Sequence, residues 1–221
     1  MNKQFEDEQL LAVRSSSTLE DLDKMAGAGL FDSILNVNLN DPQDIKNAII
    51  DVWLSLHTQR AVISRKQNNI KTEHAQMAIL VQQMIDSEYS FIIHSTNPMT
   101  DDHNQVYIEL AVGQGETLAS ANQSGTPYRL IYDKTSKVVK VVSFSSYSNG
   151  LFASNKQEGL ATRCIDYSKV LYSNDFEELT GLATELGEIA CAIEAGYGGV
   201  PQDIEGCIDH NDNIYIVQSR N

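Results

Sequence analysis

The chain has 221 residues, 42% hydrophobic and 21% charged, with a formal net charge of −14 at pH 7. That composition sustains a core and excludes wholesale disorder, and the acidic balance argues against nucleic acid as a partner, because such binding needs a basic face that displaces counterions. No apolar run reaches the length of about 20 residues that spans a bilayer, and the acidic stretch from Met1 to Leu11 lacks the apolar centre of a secretory signal, so a soluble intracellular chain with no membrane partner is expected.

The first predicted element is a short apolar strand, Leu10 to Ser15, running into a serine-rich turn. A loop with Gly27 and Gly29 follows, and Leu30 to Val37 reads as a second strand. Asp41-Pro42 predicts an N-cap with proline in the first turn, opening a helix on which Ile45, Ala48, Ile49, Val52, Trp53 and Leu56 recur at helical spacing. Strands are then expected over Met77 to Ile85, Ser90 to His94 and Gln105 to Val112, the last ending at Gly113-Gln114-Gly115-Glu116. Arg129 to Tyr132 and Lys137 to Phe144 form a predicted hairpin around Asp133-Lys134-Thr135-Ser136. A helix over Asp175 to Ala195 stops at a glycine-rich segment, and two strands, Asp203 to Ile208 and Asn213 to Gln218, close the chain. Mixed helices and strands with several hairpins predict an α+β fold.

The closing hairpin carries the most chemistry. Asp203 and Glu205 are two apart on a strand and therefore share a face, and Gln218 lies on the partner strand. Two carboxylates and an amide oxygen suit Mg²⁺, which takes hard oxygen ligands and shares them with phosphate; on spacing alone a surface edge with solvated acids fits as well. Arg14 and Arg60 are candidate phosphate clamps, since a guanidinium grips two oxygens at once, or else surface salt-bridge partners. The small-residue loop Ala26-Gly27-Ala28-Gly29-Leu30 offers backbone N–H groups to an anion. The turn around Glu116 lacks both the P-loop lysine and the third glycine of a dinucleotide fingerprint. The five histidines show no nucleophile or metal spacing and read as structural or solvent-facing, and Cys164, Cys191 and Cys207 read as reduced, mostly buried side chains.

The order of these segments resembles the nucleotide-binding domain of the dikinase superfamily, which includes pyruvate phosphate dikinase, phosphoenolpyruvate synthase and the glucan water dikinases. The resemblance rests on Val13-Arg14-Ser15-Ser16-Ser17, Ala26 to Ser33, Ser55 to Arg65, Leu80 to Ile85, Pro201 to Gly206 and Ile216 to Arg220. Gly115 to Ser120, Gly125 to Leu130, Asp166-Tyr167-Ser168 and Gln202 to Cys207 resemble the α-glucan branch, phosphoglucan water dikinase in particular.

The resemblance implies an ATP-grasp-like fold with ATP between two lobes, residues 1–75 being the remainder of a first lobe truncated at its N-terminus and 76–221 the second. It implies ATP and Mg²⁺ as cofactors. Glu205 and Gln218 would hold the metal, with Asp203 and Glu116 beside the triphosphate. Arg14, Arg60 and Arg220 would hold phosphates, and Ala28, Gly29 and Leu30 would close over them. Gln82, Met84 and Ile85 would line the adenine pocket. In such a dikinase the β-phosphate passes to a histidine on a separate domain and on to α-glucan, and the γ-phosphate goes to water. None of the five histidines matches that carrier, so the chain is expected to need a phosphohistidine domain it lacks and to be inactive alone. The compartment implied is cytoplasmic or plastid-like. The alternatives are a degenerate, non-catalytic ATP-binding module and a phosphoenolpyruvate synthase-like or antibiotic-directed part with another acceptor.

Overall fold

A computed structural model describes residues 10–19, 30–71, 74–119, 124–154 and 160–221. The fold mixes helices with antiparallel sheets, and the chain divides into two compact units, Met1–Ile85 with Ala153–Ala161 and Asp86–Phe152 with Thr162–Asn221.

In the first unit, β1 (Leu10–Ser17) is the central strand of a three-stranded sheet, flanked by β2 (Ile34–Asn38) and β3 (Met77–Gln83). The pleat sends alternate residues to opposite faces. Leu11 and Val13 point towards α1 (Pro42–Ser55) and pack with Val37, Ala48 and Val52, leaving Arg14 for the other face. α1 begins as its sequence dictates: the Asp41 carboxylate accepts from the N–H groups of Gln43 and Asp44, and Pro42 occupies the first turn, where a missing N–H costs nothing. α2 (Gln59–Gln67) follows, capped by Thr58. Its Arg65 is buried and donates from Nη1 to the Leu56 carbonyl at 2.5 Å, satisfying an acceptor just past the end of α1.

Two expectations change here. The second strand starts at Ile34 rather than Leu30, because Leu30 and Phe31 leave the strand path and pack with Leu19, Leu56 and Ala61 in a separate cluster. Trp53, grouped with the core-facing residues of α1 by its spacing, is 51% exposed, beyond the edge of the stripe centred on Ala48 and Val52.

The second unit is built on a six-stranded antiparallel sheet ordered β11-β10-β4-β5-β6-β7, made of β4 (Ser87–His94), β5 (Gln105–Val112), β6 (Tyr128–Asp133), β7 (Val139–Ser143), β10 (Asp203–Asp209) and β11 (Ile214–Arg220). A long helix, α5 (Phe176–Gly196), covers one face. Its buried residues Leu179, Leu182, Ala183, Leu186, Gly187 and Ala190 recur every three or four positions, so they form one apolar stripe. They meet Phe91, Ile93, Ile108, Leu110, Leu130, Tyr132 and Ile204 from the sheet. Space at that interface is set by two glycines. A Cβ on Gly187 would lie 2.4 Å from the Tyr132 ring, and one on Gly206 would lie 2.2 Å from Cζ of Phe91. Each glycine is there because an aromatic ring lies against its backbone.

Elements absent from the sequence reading are short: α3 (Glu116–Ala119), α4 (Leu171–Asn174) and the ribbon of β8 (Asn149–Phe152) with β9 (Ala161–Cys164). Among the described residues, no helix is long and apolar enough to cross a membrane. The cysteines divide by position: Cys207 is buried, Cys191 half-buried and Cys164 exposed, so burial holds for one of the three in full.

Candidate functional site

With even-numbered residues of β10 turned towards α5, Asp203 and Glu205 lie on the opposite face of the six-stranded sheet. The ladder extends that face in both directions. Asp203 stands opposite Arg220 of β11 and His94 of β4, and Glu205 stands opposite Gln218 and Ile92. Directly opposed residues of an antiparallel pair share a face, so Asp203, Glu205, Gln218 and Arg220 form one block. The pairing skips Val217 between Gln218 and Ile216, a bulge on β11 directly beside the Glu205–Gln218 pair. Bulges bend the strand locally and re-aim a side chain.

Further rows follow across the sheet. His94 opposes Tyr107, Ile92 opposes Glu109, and Glu109 opposes Arg129 on β6. These side chains are joined. His94 Nδ1 lies 2.6 Å from Oδ1 of Asp203. The Tyr107 hydroxyl donates to Oε1 of Glu109 at 3.2 Å, and Arg129 Nε donates to the same oxygen at 2.9 Å. The His94 and Tyr107 rings lie 6.2 Å apart.

The electrostatics follow from these contacts. The Asp203 carboxyl is held below the usual carboxylate range, chiefly by its bond with His94 and further by the nearby Arg220 charge, against a burial cost that acts the other way. Hydrogen bonding to Glu109 raises Arg129, fixing its positive charge on the face. Burial, then the Glu109 charge, pushes the Tyr107 phenol up, so it stays a neutral donor.

All of the donors on Asp203, Glu205 and Gln218 are oxygens, the set suited to a hard divalent cation. Among the described residues, no group of three or more His, Cys, Asp and Glu side chains clusters as a metal cage. An ion held by this block would therefore take further oxygens from a ligand, as Mg²⁺ does when it shares phosphate.

The other candidates lie on other elements. Glu116 opens α3 just after β5, and the register does not bring it onto the polar face. The turn before it needs glycine at Gly113, whose φ is +90° and whose Cβ would meet the Leu151 carbonyl oxygen at 2.4 Å. In the first unit, Arg14 opposes Leu80 within β1, and Gln82 opposes Ala12, so Arg14 and Gln82 share the face turned away from α1. Met84 is buried; its N–H donates to the Leu10 carbonyl at 2.8 Å, and Ile85 ends this stretch of the unit. Arg60 is an exposed residue of α2, paired with Asp32. Leu30 is buried, and Ala28 and Gly29 lie outside the described residues.

Three residues of the polar face were not singled out from the sequence: His94, Glu109 and Arg129. The alternation of Gln105 to Val112 already sorted Glu109 from its apolar neighbours. Nothing in sequence, however, places β10 beside β4, and so His94 beside Asp203. His94 has an aspartate partner that its own sequence neighbourhood did not disclose. His103 and His210 instead meet Thr96 and the exposed acids Asp86 and Glu88.

The profile of the pyruvate phosphate dikinase AMP/ATP-binding domain matches residues 1–221. The chain is similar to rifampicin phosphotransferase of Bacillus cereus, 36% identical over 98% of this chain and 24% of that protein. It is similar to alpha-glucan water dikinase 2 of Arabidopsis thaliana, 34% identical over 78% of this chain and 15% of that protein. A probable phosphoenolpyruvate synthase of Pyrococcus abyssi is 31% identical over 97% of this chain and 26% of that protein. The chain thus spans about a quarter or less of the length of these relatives, and their similar identities do not single out the glucan branch that the segment-level resemblance favoured. By name, the first is a phosphotransferase, the second a dikinase and the third a synthase. With the profile matched along its whole length and a relative more than 30% identical across nearly all of it, the chain belongs to the family of pyruvate phosphate dikinase AMP/ATP-binding domains.

Proposed function

We propose that the polar face of the six-stranded sheet binds the magnesium-bound phosphates of ATP, in an ATP-grasp-like fold. The supporting observation is the register that sets Glu205 opposite Gln218 and Asp203 opposite Arg220. Glu205 and Gln218 would hold the ion, with Asp203 and Glu116 beside the metal-bound triphosphate. The ion would supply positive charge against the phosphate oxygens and orient them. Arg220 offsets negative charge that develops as a phosphoryl group transfers, the main catalytic demand of such a reaction. Arg14, Arg60 and the loop of Ala28, Gly29 and Leu30 are proposed as phosphate contacts, and Gln82, Met84 and Ile85 as adenine contacts. β3 is an edge strand, and the Met84 N–H bond to Leu10 places the pairing groups of even-numbered residues towards β1. Those of Gln83 then point outwards along the edge, where a purine can be read by main-chain hydrogen bonds.

The reaction proposed for the complete enzyme is transfer of the β-phosphoryl group of ATP to a histidine nitrogen on a phosphohistidine domain. Water takes the γ-phosphate and AMP leaves. The phosphohistidine then phosphorylates α-glucan, the acceptor favoured by Gly115 to Ser120, Gly125 to Leu130 and Gln202 to Cys207. A second reading keeps the nucleotide chemistry and changes the acceptor to a small antibiotic, and the 36% identity to a rifampicin phosphotransferase supports it. Relatives named for rifampicin, alpha-glucan and phosphoenolpyruvate match this segment at similar identity, so their likeness favours neither acceptor over the other.

Calorimetry tests the nucleotide step. ATP should bind with an affinity that depends on Mg²⁺, and Glu205→Ala and Gln218→Ala should each weaken it by roughly tenfold or more, the scale of one lost charge-assisted contact. Equal affinity in both variants refutes the metal assignment. Supplying a phosphohistidine domain with β-labelled ATP, then offering glucan and rifampicin in turn, decides the acceptor.

A further inference from the structure

We propose that His94 is a positioning residue of the nucleotide site, holding the Asp203 carboxylate in one orientation on the polar sheet face; the inference rests on the magnesium-nucleotide reading above. His94 is directly opposite Asp203 in the β4–β10 ladder, and their side chains meet at 2.6 Å. On its far side the imidazole lies against Tyr107, itself buried and bonded to Glu109. On the far side of Asp203 stands Arg220. The aspartate therefore stands between the Arg220 position, whose charge acts on it, and a buttressed imidazole that bonds it.

A free carboxylate rotates about two side-chain bonds, and a ligand must stop that rotation each time it binds. A bond to one oxygen stops it beforehand and leaves the second oxygen at a set place, the usual role of outer partners around a metal or phosphate site. Because an ionised carboxylate has no proton to give, His94 must carry its hydrogen on Nδ1. His103 meets a threonine hydroxyl and His210 the exposed acids Asp86 and Glu88, whereas His94 meets a partly buried aspartate.

The test uses the 221-residue chain and ATP, titrated by calorimetry in excess MgCl₂ and in EDTA. His94→Phe keeps the ring and removes the donor; His94→Asn keeps a short N–H donor. His94→Phe should lose roughly 10- to 100-fold in affinity with Mg²⁺, the range found when such outer partners are removed, and little in EDTA, while His94→Asn recovers most of the loss. Nitrogen-15 spectra of the labelled protein should show the His94 proton on Nδ1 and its migration to Nε2 in Asp203→Ala, a readout that holds even if the phenylalanine variant fails to fold. Wild-type affinity in His94→Phe, an equal loss with and without Mg²⁺ that asparagine does not restore, or an Nδ1 without a proton in the wild type overturns the positioning role. If the wild type itself shows no Mg²⁺-dependent affinity, the nucleotide reading fails first and this inference goes with it.

Discussion

The two faces of the six-stranded sheet are made from the same strands and share every backbone hydrogen bond, yet they do different work. One face presents Phe91, Ile93, Ile108, Leu110, Leu130 and Ile204 to α5, with side chains that are essentially inaccessible. The other presents Asp203, Glu205, Gln218, Arg220, His94, Glu109 and Arg129, most of them half-buried and joined side chain to side chain. Stability comes from the first face and ligand chemistry is proposed for the second. The pleat separates the two so completely that a substitution is expected to damage one property and spare the other. The first unit repeats the division on a smaller scale, with Leu11 and Val13 towards α1 and Arg14 with Gln82 turned away.

The strongest way to sharpen that contrast is to open the covered face. Leu186→Ala, inside the stripe on α5, should cost about 2–5 kcal/mol in urea unfolding, lost burial and residual cavity together. Gly206→Ala attacks the same face by overpacking, because its Cβ has Phe91 2.2 Å away; a loss of about 1–3 kcal/mol is expected. Neither variant should alter the Mg²⁺ dependence of ATP binding while it stays folded.

A smaller effect is expected at alkaline pH. Burial pushes Tyr172 up to about 12, and burial likewise raises Tyr89 and Tyr128 in the same core. A phenol whose folded pKa is raised contributes stability that is complete below its unfolded value of about 10 and is lost as pH rises towards the folded value. Unfolding followed by circular dichroism should therefore set in above pH 10 together with tyrosinate absorbance at 295 nm. Ionisation of Tyr89, Tyr128 or Tyr172 near pH 10 with the fold intact, resolved ring by ring in carbon-13 tyrosine spectra, would show these rings to be accessible. The smallest effect belongs to the polar face: Glu205→Ala should move the unfolding free energy by no more than about 0.5 kcal/mol, and a loss as large as that of Leu186→Ala would erase the distinction between the faces.

Much of this was written locally in the sequence. Asp41-Pro42 announces the start of α1, the alternation of Gln105 to Val112 assigns Glu109 and Ile108 to opposite faces, and the Asp203–Glu205 spacing with its short turn to Gln218 anticipates the observed pairing. Other features depend on which strand neighbours which. β10 pairs with β4, more than a hundred residues earlier, and only that crossover brings His94 to Asp203. Leu30 and Phe31 look like a strand because they are apolar, but a cluster with Leu56 and Ala61 outweighs local propensity. Trp53 fits the helical spacing of the core residues and still lies outside, since periodicity gives a direction and not the width of the surface that covers it.

The division of labour between the faces can be tested in one measurement. Mn²⁺ in place of Mg²⁺, added with ATP to isotope-labelled protein, broadens the resonances of nearby residues and reports where the ion is. Side-chain signals of Gln218, His94 and Arg220 should broaden strongly, whereas the methyl groups of Leu186 and Leu130, across the sheet, should broaden far less. Broadening centred on the α5 side, or on no part of the Glu205–Gln218 block, would contradict the assignment of this face to the metal-bound nucleotide.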